Sequence, residues 1–179
     1  MAYTHILAPT DFSVVGNYAL SFAFEEATLH GAKITLLHVL HHQPDTKVYF
    51  LGGDPESREG LQTSLFAFPA DFDAYTGTPL PSAPSSPATT VRRDYDEEAL
   101  ERLRTLIPET FTGDWDAAVA SGDPARAIVH VAQEHAVDLI VIGSHGRTGL
   151  PGLVLGSVAE KVIRHAPCAV LTIKEKPRG

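Results

Sequence analysis

The run Leu139-Ile140-Val141-Ile142-Gly143-Ser144-His145-Gly146-Arg147-Thr148-Gly149 leads through Leu150-Pro151-Gly152 to Gly156-Ser157-Val158-Ala159-Glu160-Lys161-Val162-Ile163. It opens as an apolar strand and passes through a glycine-rich loop. From Ser157 its apolar residues recur at helical spacing. That order has a physical use. Glycines let backbone N–H groups approach an anion closely, and the following helix offers unpaired N–H groups and the positive end of its dipole. A phosphate suits such a loop. A glycine-rich surface connection is the plainer reading of the same residues.

Two common phosphate loops do not fit. No Gly-x-x-x-x-Gly-Lys-Ser/Thr string occurs, and the spacing of Gly143 and Gly146 is not that of the dinucleotide fingerprint Gly-x-Gly-x-x-Gly. What stands here is Gly143, two residues, Gly146, nine residues, Gly156 and Ser157. This spacing resembles the ATP-binding signature of the universal stress protein family at every position.

Outward from the loop, the chain alternates. Tyr3 to Ala8 reads as a first strand, ending at Pro9, and a helix follows to about His30 with Gly31 as its stop. Asp11 and Ser13 are both able to cap that helix. Lys33 to Leu40 is nearly continuously apolar, as a parallel strand covered on both faces should be. Asp94 to Leu106 is helical, and Trp115 to Ser121 is the third strand. Asp123-Pro124 starts a helix whose inward face is Ile128, Val131, Ala132 and Ala136. Leu139 to Ile142 and Cys168 to Ile173 are the fourth and fifth strands.

This pattern predicts an α/β protein with a doubly wound parallel sheet. The resemblance implies five strands in the order 3-2-1-4-5, of the adenine nucleotide alpha hydrolase-like type. Ligands bind such sheets at the carboxyl ends of the strands where the order reverses. That point puts Thr10-Asp11 beside the Gly143 loop.

Residues 43–93 interrupt the alternation. Seven of the thirteen prolines fall there, which excludes a long helix. Tyr49, Phe50, Phe66, Phe68, Phe72 and Tyr75 also fall there, more aromatic residues than simple disorder carries. The segment is expected to be an irregular insertion in a single domain spanning 1–179. It leaves the carboxyl end of the second strand, so its aromatic parts are expected over the crevice.

The resemblance supplies the candidate site: Pro9, Thr10, Asp11, Val39, Ile142, Gly143, His145, Gly146, Arg147, Gly156, Ser157 and Val158. It implies ATP with magnesium or manganese. The backbone at Val39 would lie against adenine, and Asp11 would contact the ribose or the metal. N–H groups near Gly143, Gly146, Ser157 and Val158 would hold phosphates, with Ser157 donating its hydroxyl. Spacing leaves open whether Arg147 and Lys161 face phosphate or solvent. His145 is the loop residue suited to proton transfer, so slow ATP hydrolysis or autophosphorylation is one alternative. A family member acting through protein contacts alone is another. His38, His41 and His42 cluster without a carboxylate or cysteine at ligand spacing, so no metal site is expected there.

With 179 residues, 44% hydrophobic and 20% charged, the chain is expected to be soluble. It has no membrane-length apolar run and no basic-then-apolar leader at Met1 to Ile6. A net charge of −8 argues against a nucleic-acid partner. Cys168 is the sole cysteine, which suits the cytoplasm and reads as a small buried side chain. The apolar last strand, 168–173, is the expected homodimer edge.

Overall fold

The structure is a computed structural model that describes residues 2–40, 48–52, 92–145 and 155–174. Its strands are β1 (His5–Pro9), β2 (Lys33–Leu40), β3 (Val48–Gly52), β4 (Trp115–Ser121), β5 (Leu139–Gly143) and β6 (Ala169–Ile173). Its helices are α1 (Val14–His30), α2 (Arg92–Arg104), α3 (Pro124–Glu134) and α4 (Ser157–His165). The strands form one sheet in the order β3-β4-β2-β1-β5-β6. The five expected strands are parallel and stand in the expected order, β4-β2-β1-β5-β6.

Side chains alternate across a strand, so each strand feeds two cores. Ile6, Ala8, Ile34, Leu36, Ala117, Val119, Leu139 and Val141 meet Ala19, Leu20, Ala23, Phe24 and Ala27 of α1 and Ala99, Leu100 and Leu103 of α2. The intervening residues Leu7, Leu37, Ala118, Ala120, Ile140 and Ile142 meet Ile128, Val131 and Ala132 of α3 and Ala159 and Val162 of α4. The period-two pattern thus puts one pair of helices on each face.

Helix ends follow local chemistry. Ser13 caps α1 by accepting from the Gly16 N–H at 3.0 Å, and Gly31 ends it in left-handed backbone, φ 62°. Asp123 caps α3 by accepting from the Arg126 N–H at 3.0 Å, with Pro124 in the first position. α4 ends at Ala166, whose extended backbone is what a following proline imposes.

Two expectations need correction. Ala136 does not face the core. α3 ends at Glu134, and Ala136 takes φ 47° in the exposed turn into β5, leaving Val137 as the buried residue. The inserted segment is not wholly irregular either. Val48–Gly52 pairs antiparallel with β4, Tyr49 opposite Val119 and Phe50 opposite Ala118. Val-Tyr-Phe-Leu suits a strand, and β4 would otherwise present an open edge. Val48–Gly52 therefore forms one edge of the sheet, with β4 and β2 between it and β1. The remaining aromatic residues of the segment lie outside the described residues. Among the described residues no helix is long and apolar enough to cross a membrane.

Candidate functional site

The chain leaves β1 to one side for β2 and returns through β5 to the other, so the order reverses between β1 and β5. The turn after β1 is tied at nearly every position. Thr10, 6% exposed, donates its N–H to the Leu37 carbonyl at 2.8 Å. Its Oγ1 accepts the Phe12 N–H at 3.0 Å and donates to Asn17 Oδ1 at 3.2 Å. Its carbonyl accepts from His38 Nδ1 at 2.8 Å. Asp11 Oδ1 accepts the Ser13 N–H at 3.0 Å. The choice between two cap residues is thereby resolved: Ser13 caps α1, and Asp11 stabilises the turn before it.

The β5 loop approaches this turn through glycine. A Cβ on Gly143 would stand 3.2 Å from Val15 Cγ1 and 3.3 Å from the Gly16 nitrogen. A Cβ on Gly16 would stand 2.8 Å from Asp11 Oδ1. The bare Gly143 Cα therefore lets β5 lie against the first turn of α1, with Asp11 just beyond. The space freed by the missing side chain is filled by α1; the phosphate contact expected near Gly143 is of its backbone N–H.

Ser144, which sequence reasoning did not single out, closes the loop. It is fully buried. Its N–H donates to the Ile173 carbonyl and its carbonyl accepts the Gly156 N–H, both at 2.7 Å. Its Oγ lies 2.9 Å from His145 Nδ1. The two ends of the glycine loop are thus clasped. A small polar residue between a strand and a glycine loop was the available signal.

Gly156 then starts α4, and unlike the starts of α1 and α3 this one has no side-chain cap. The first intrahelical bond is Glu160 N–H to the Gly156 carbonyl, 2.9 Å. Ser157, exposed, and Val158 and Ala159 precede it, the positions whose N–H groups a helix leaves unmatched internally. With the helix dipole, this is an anion-binding end. Val39 packs in the same apolar cluster as Leu155, Val158 and Ile142, so the expected adenine contact and the start of α4 share one face of the sheet. Pro9 is buried at the end of β1.

Lys161 is exposed and pairs with the start of another helix. Its Nζ lies 3.5 Å from Asp123 Oδ2, the α3 cap. Gly146 and Arg147 lie outside the described residues, as do His41 and His42. His38 is engaged with the Thr10 carbonyl and the Phe12 ring. Among the described residues, no three His, Cys, Asp or Glu side chains group as metal ligands.

The universal stress protein family model matches residues 2–174. Universal stress protein MJ0577 of Methanocaldococcus jannaschii is 29% identical over 97% of this chain and 96% of its own. Its solved structure superposes with a TM-score of 0.66 at 26% identity, covering 98% and 99% of the two chains. The stress response protein NhaX of Bacillus subtilis is 34% identical over 94% of this chain and 96% of its own. A universal stress protein of Archaeoglobus fulgidus, solved in complex with dAMP, shares the fold with a TM-score of 0.56 at 23% identity, over 97% and 100% of the chains.

Proposed function

The chain belongs to the universal stress protein family, and from that premise we propose that it is a cytoplasmic regulatory module that binds ATP. One observation carries the reading. The spaced glycines end on a helix start that no side chain caps, and the turn after the neighbouring strand β1 carries the Asp11 carboxylate. The Archaeoglobus relative with dAMP supports an adenine nucleotide as the occupant.

In this reading the N–H groups at Ser157 and Val158, with Gly146 and the Ser157 hydroxyl, hold the phosphates. Val39 and Ile142 flank the base, and Asp11 accepts from the ribose hydroxyls. His145 and Arg147 line the loop. Magnesium or manganese enters with the phosphates, with Asp11 as the carboxylate available to it. The whole chain is one domain with residues 43–93 inserted.

Calorimetry with ATP tests this reading. Wild type is expected to bind, while Gly146→Val and Gly156→Val each lose binding by at least about a hundredfold with unchanged melting temperatures, because a branched side chain fills the space where phosphate meets backbone. Unchanged affinity in the variants overturns the site.

We further propose a homodimer through residues 168–173. Val170 and Leu171 of β6 are only partly buried, and β6 is the outermost strand on its side of the sheet. An open apolar edge invites pairing. Light scattering is expected to give twice the chain mass at micromolar concentration; a monomer at high micromolar concentration excludes the dimer.

A further inference from the structure

The turn that carries Asp11 contains a residue with no part in the nucleotide reading. Phe12 has φ 62°. Left-handed backbone is costly for a bulky side chain and persists only where its surroundings enforce it. Here they do. The His38 ring centroid is 4.3 Å from that of Phe12. The Arg102 guanidinium carbon of α2 stands 4.1 Å from the same centroid, a cation–π distance. His38 is itself 8% exposed, with Nδ1 donating to the Thr10 carbonyl. The Phe12 N–H donates to Thr10 Oγ1. Phe12 is therefore held by β2 and α2, and it holds the backbone on the far side of Asp11 while Thr10 holds the near side.

The ring also sits on the other side of the sheet from the expected ligand. Phe12 packs on the core shared with α1 and α2. Val39, Leu155 and Val158 belong to the core shared with α3 and α4. Any effect of Phe12 on a nucleotide must therefore pass through the turn.

We propose that Phe12, clamped by His38 and Arg102, is a positioning residue that aims the Asp11 carboxylate at the ribose hydroxyls. The proposal rests on the nucleotide reading above. A carboxylate accepts two hydroxyl hydrogen bonds well only when its position is fixed before the ligand arrives. With the ring gone, the turn loses its contact with α2 and keeps β2 only through Thr10 on the near side, so the backbone beyond Asp11 is left to local ties.

The test compares ATP with 2′,3′-dideoxy-ATP, which lacks both ribose hydroxyls. Wild type is expected to prefer ATP by about tenfold or more, as sites built to bond hydroxyls do. Phe12→Gly removes the ring while glycine accepts φ 62° without strain. It is expected to lose about tenfold in ATP affinity and less than about twofold for the dideoxy nucleotide, so that the preference vanishes. Phe12→Tyr keeps an aromatic ring and restores the preference. Arg102→Gln, at an exposed position, tests the clamp without touching the core, with an expected loss of about threefold in the same preference.

Equal losses for both nucleotides would mean a purely structural role and overturn the proposal, as would a Phe12→Gly protein that keeps its preference. A wild type that binds both nucleotides equally overturns it too, while leaving nucleotide binding intact. A wild type that binds neither overturns the nucleotide reading and this proposal with it.

Discussion

The two ends of the sheet use polar groups in opposite ways. At the amino ends, side chains and backbone satisfy one another. His5 Nδ1 donates to the His135 carbonyl at 3.0 Å, which fixes the tautomer, and Nε2 then accepts from the Thr35 hydroxyl at 2.8 Å. The Asp138 carboxylate accepts from the Thr4 N–H, the Thr4 hydroxyl and the His5 N–H. Lys33 pairs with Asp116 at 2.6 Å. These bonds tie the start of β1 to β2 and β5 and hold their register. At the carboxyl ends the turns are tied just as firmly, by Thr10, Ser13 and Ser144. There, however, the ties hold loops, and one helix start is left to a glycine. The difference separates a closed end, whose bonds hold the strands in register, from an open end, whose bonds hold loops.

The contrast is sharpest inside the glycine motif. Gly143 meets the backbone of α1, so Gly143→Val must move the first turn of that helix. We expect a loss of about 1–3 kcal/mol in stability by urea denaturation. Gly156 has φ −77° and ψ 154°, extended backbone that valine tolerates. Its variant is expected to stay within about 0.5 kcal/mol of wild type while losing the nucleotide. A Gly143→Val protein as stable as wild type would erase the division of labour between the two glycines.

A smaller effect comes from acid at the closed end. Burial holds the His5 ring below its ordinary value of 6.5, and burial lowers His135 as well. The folded state thus favours neutral rings. Their contribution is whole above pH 6.5 and declines as the pH falls from there through the folded values. Asp138 shifts down from 3.8 because it accepts bonds from the Thr4 side chain, the Thr4 N–H and the His5 N–H. Its contribution is present above that value and is lost only as the pH falls through the lower, folded one. Melting temperature should therefore fall in two steps on acidification. His5→Gln, able to keep both neutral hydrogen bonds, should flatten part of the first. A melting temperature flat from pH 7 to 5 in wild type would contradict the closed end described here.

Much of the fold was legible because period two and period 3.6 are properties of the chain itself. The alternation at Ile6-Leu7-Ala8 and Ile34 to Leu37 assigns residues to two faces without any knowledge of their partners. Gly31 and Asp123-Pro124 mark their helix ends by local backbone chemistry. The glycine spacing from Gly143 to Gly156 is likewise a local pattern, and it led to the family and the crevice. The strand at Val48 was not legible. Four apolar residues among prolines favour an extended chain, but only the open side of β4, far along the sequence, gives them a partner.

The same limit applied within the site. Asp11 and Ser13 are equally good caps in sequence, and the geometry of the turn chose Ser13. Lys161 carried no instruction to pair with Asp123, which sits on another helix. Gly143 was readable as a place needing no side chain, yet what fills that space is set by how closely α1 packs. Phe12 carries no local signal of its backbone conformation. Its left-handed backbone stands where His38 and Arg102, far apart in the chain, meet at its ring. Sequence by itself determined which residues face inward and where the chain turns, since those depend on bonds along the chain. Tertiary structure alone decided which distant groups touch, since those contacts form only after the sheet has closed its order.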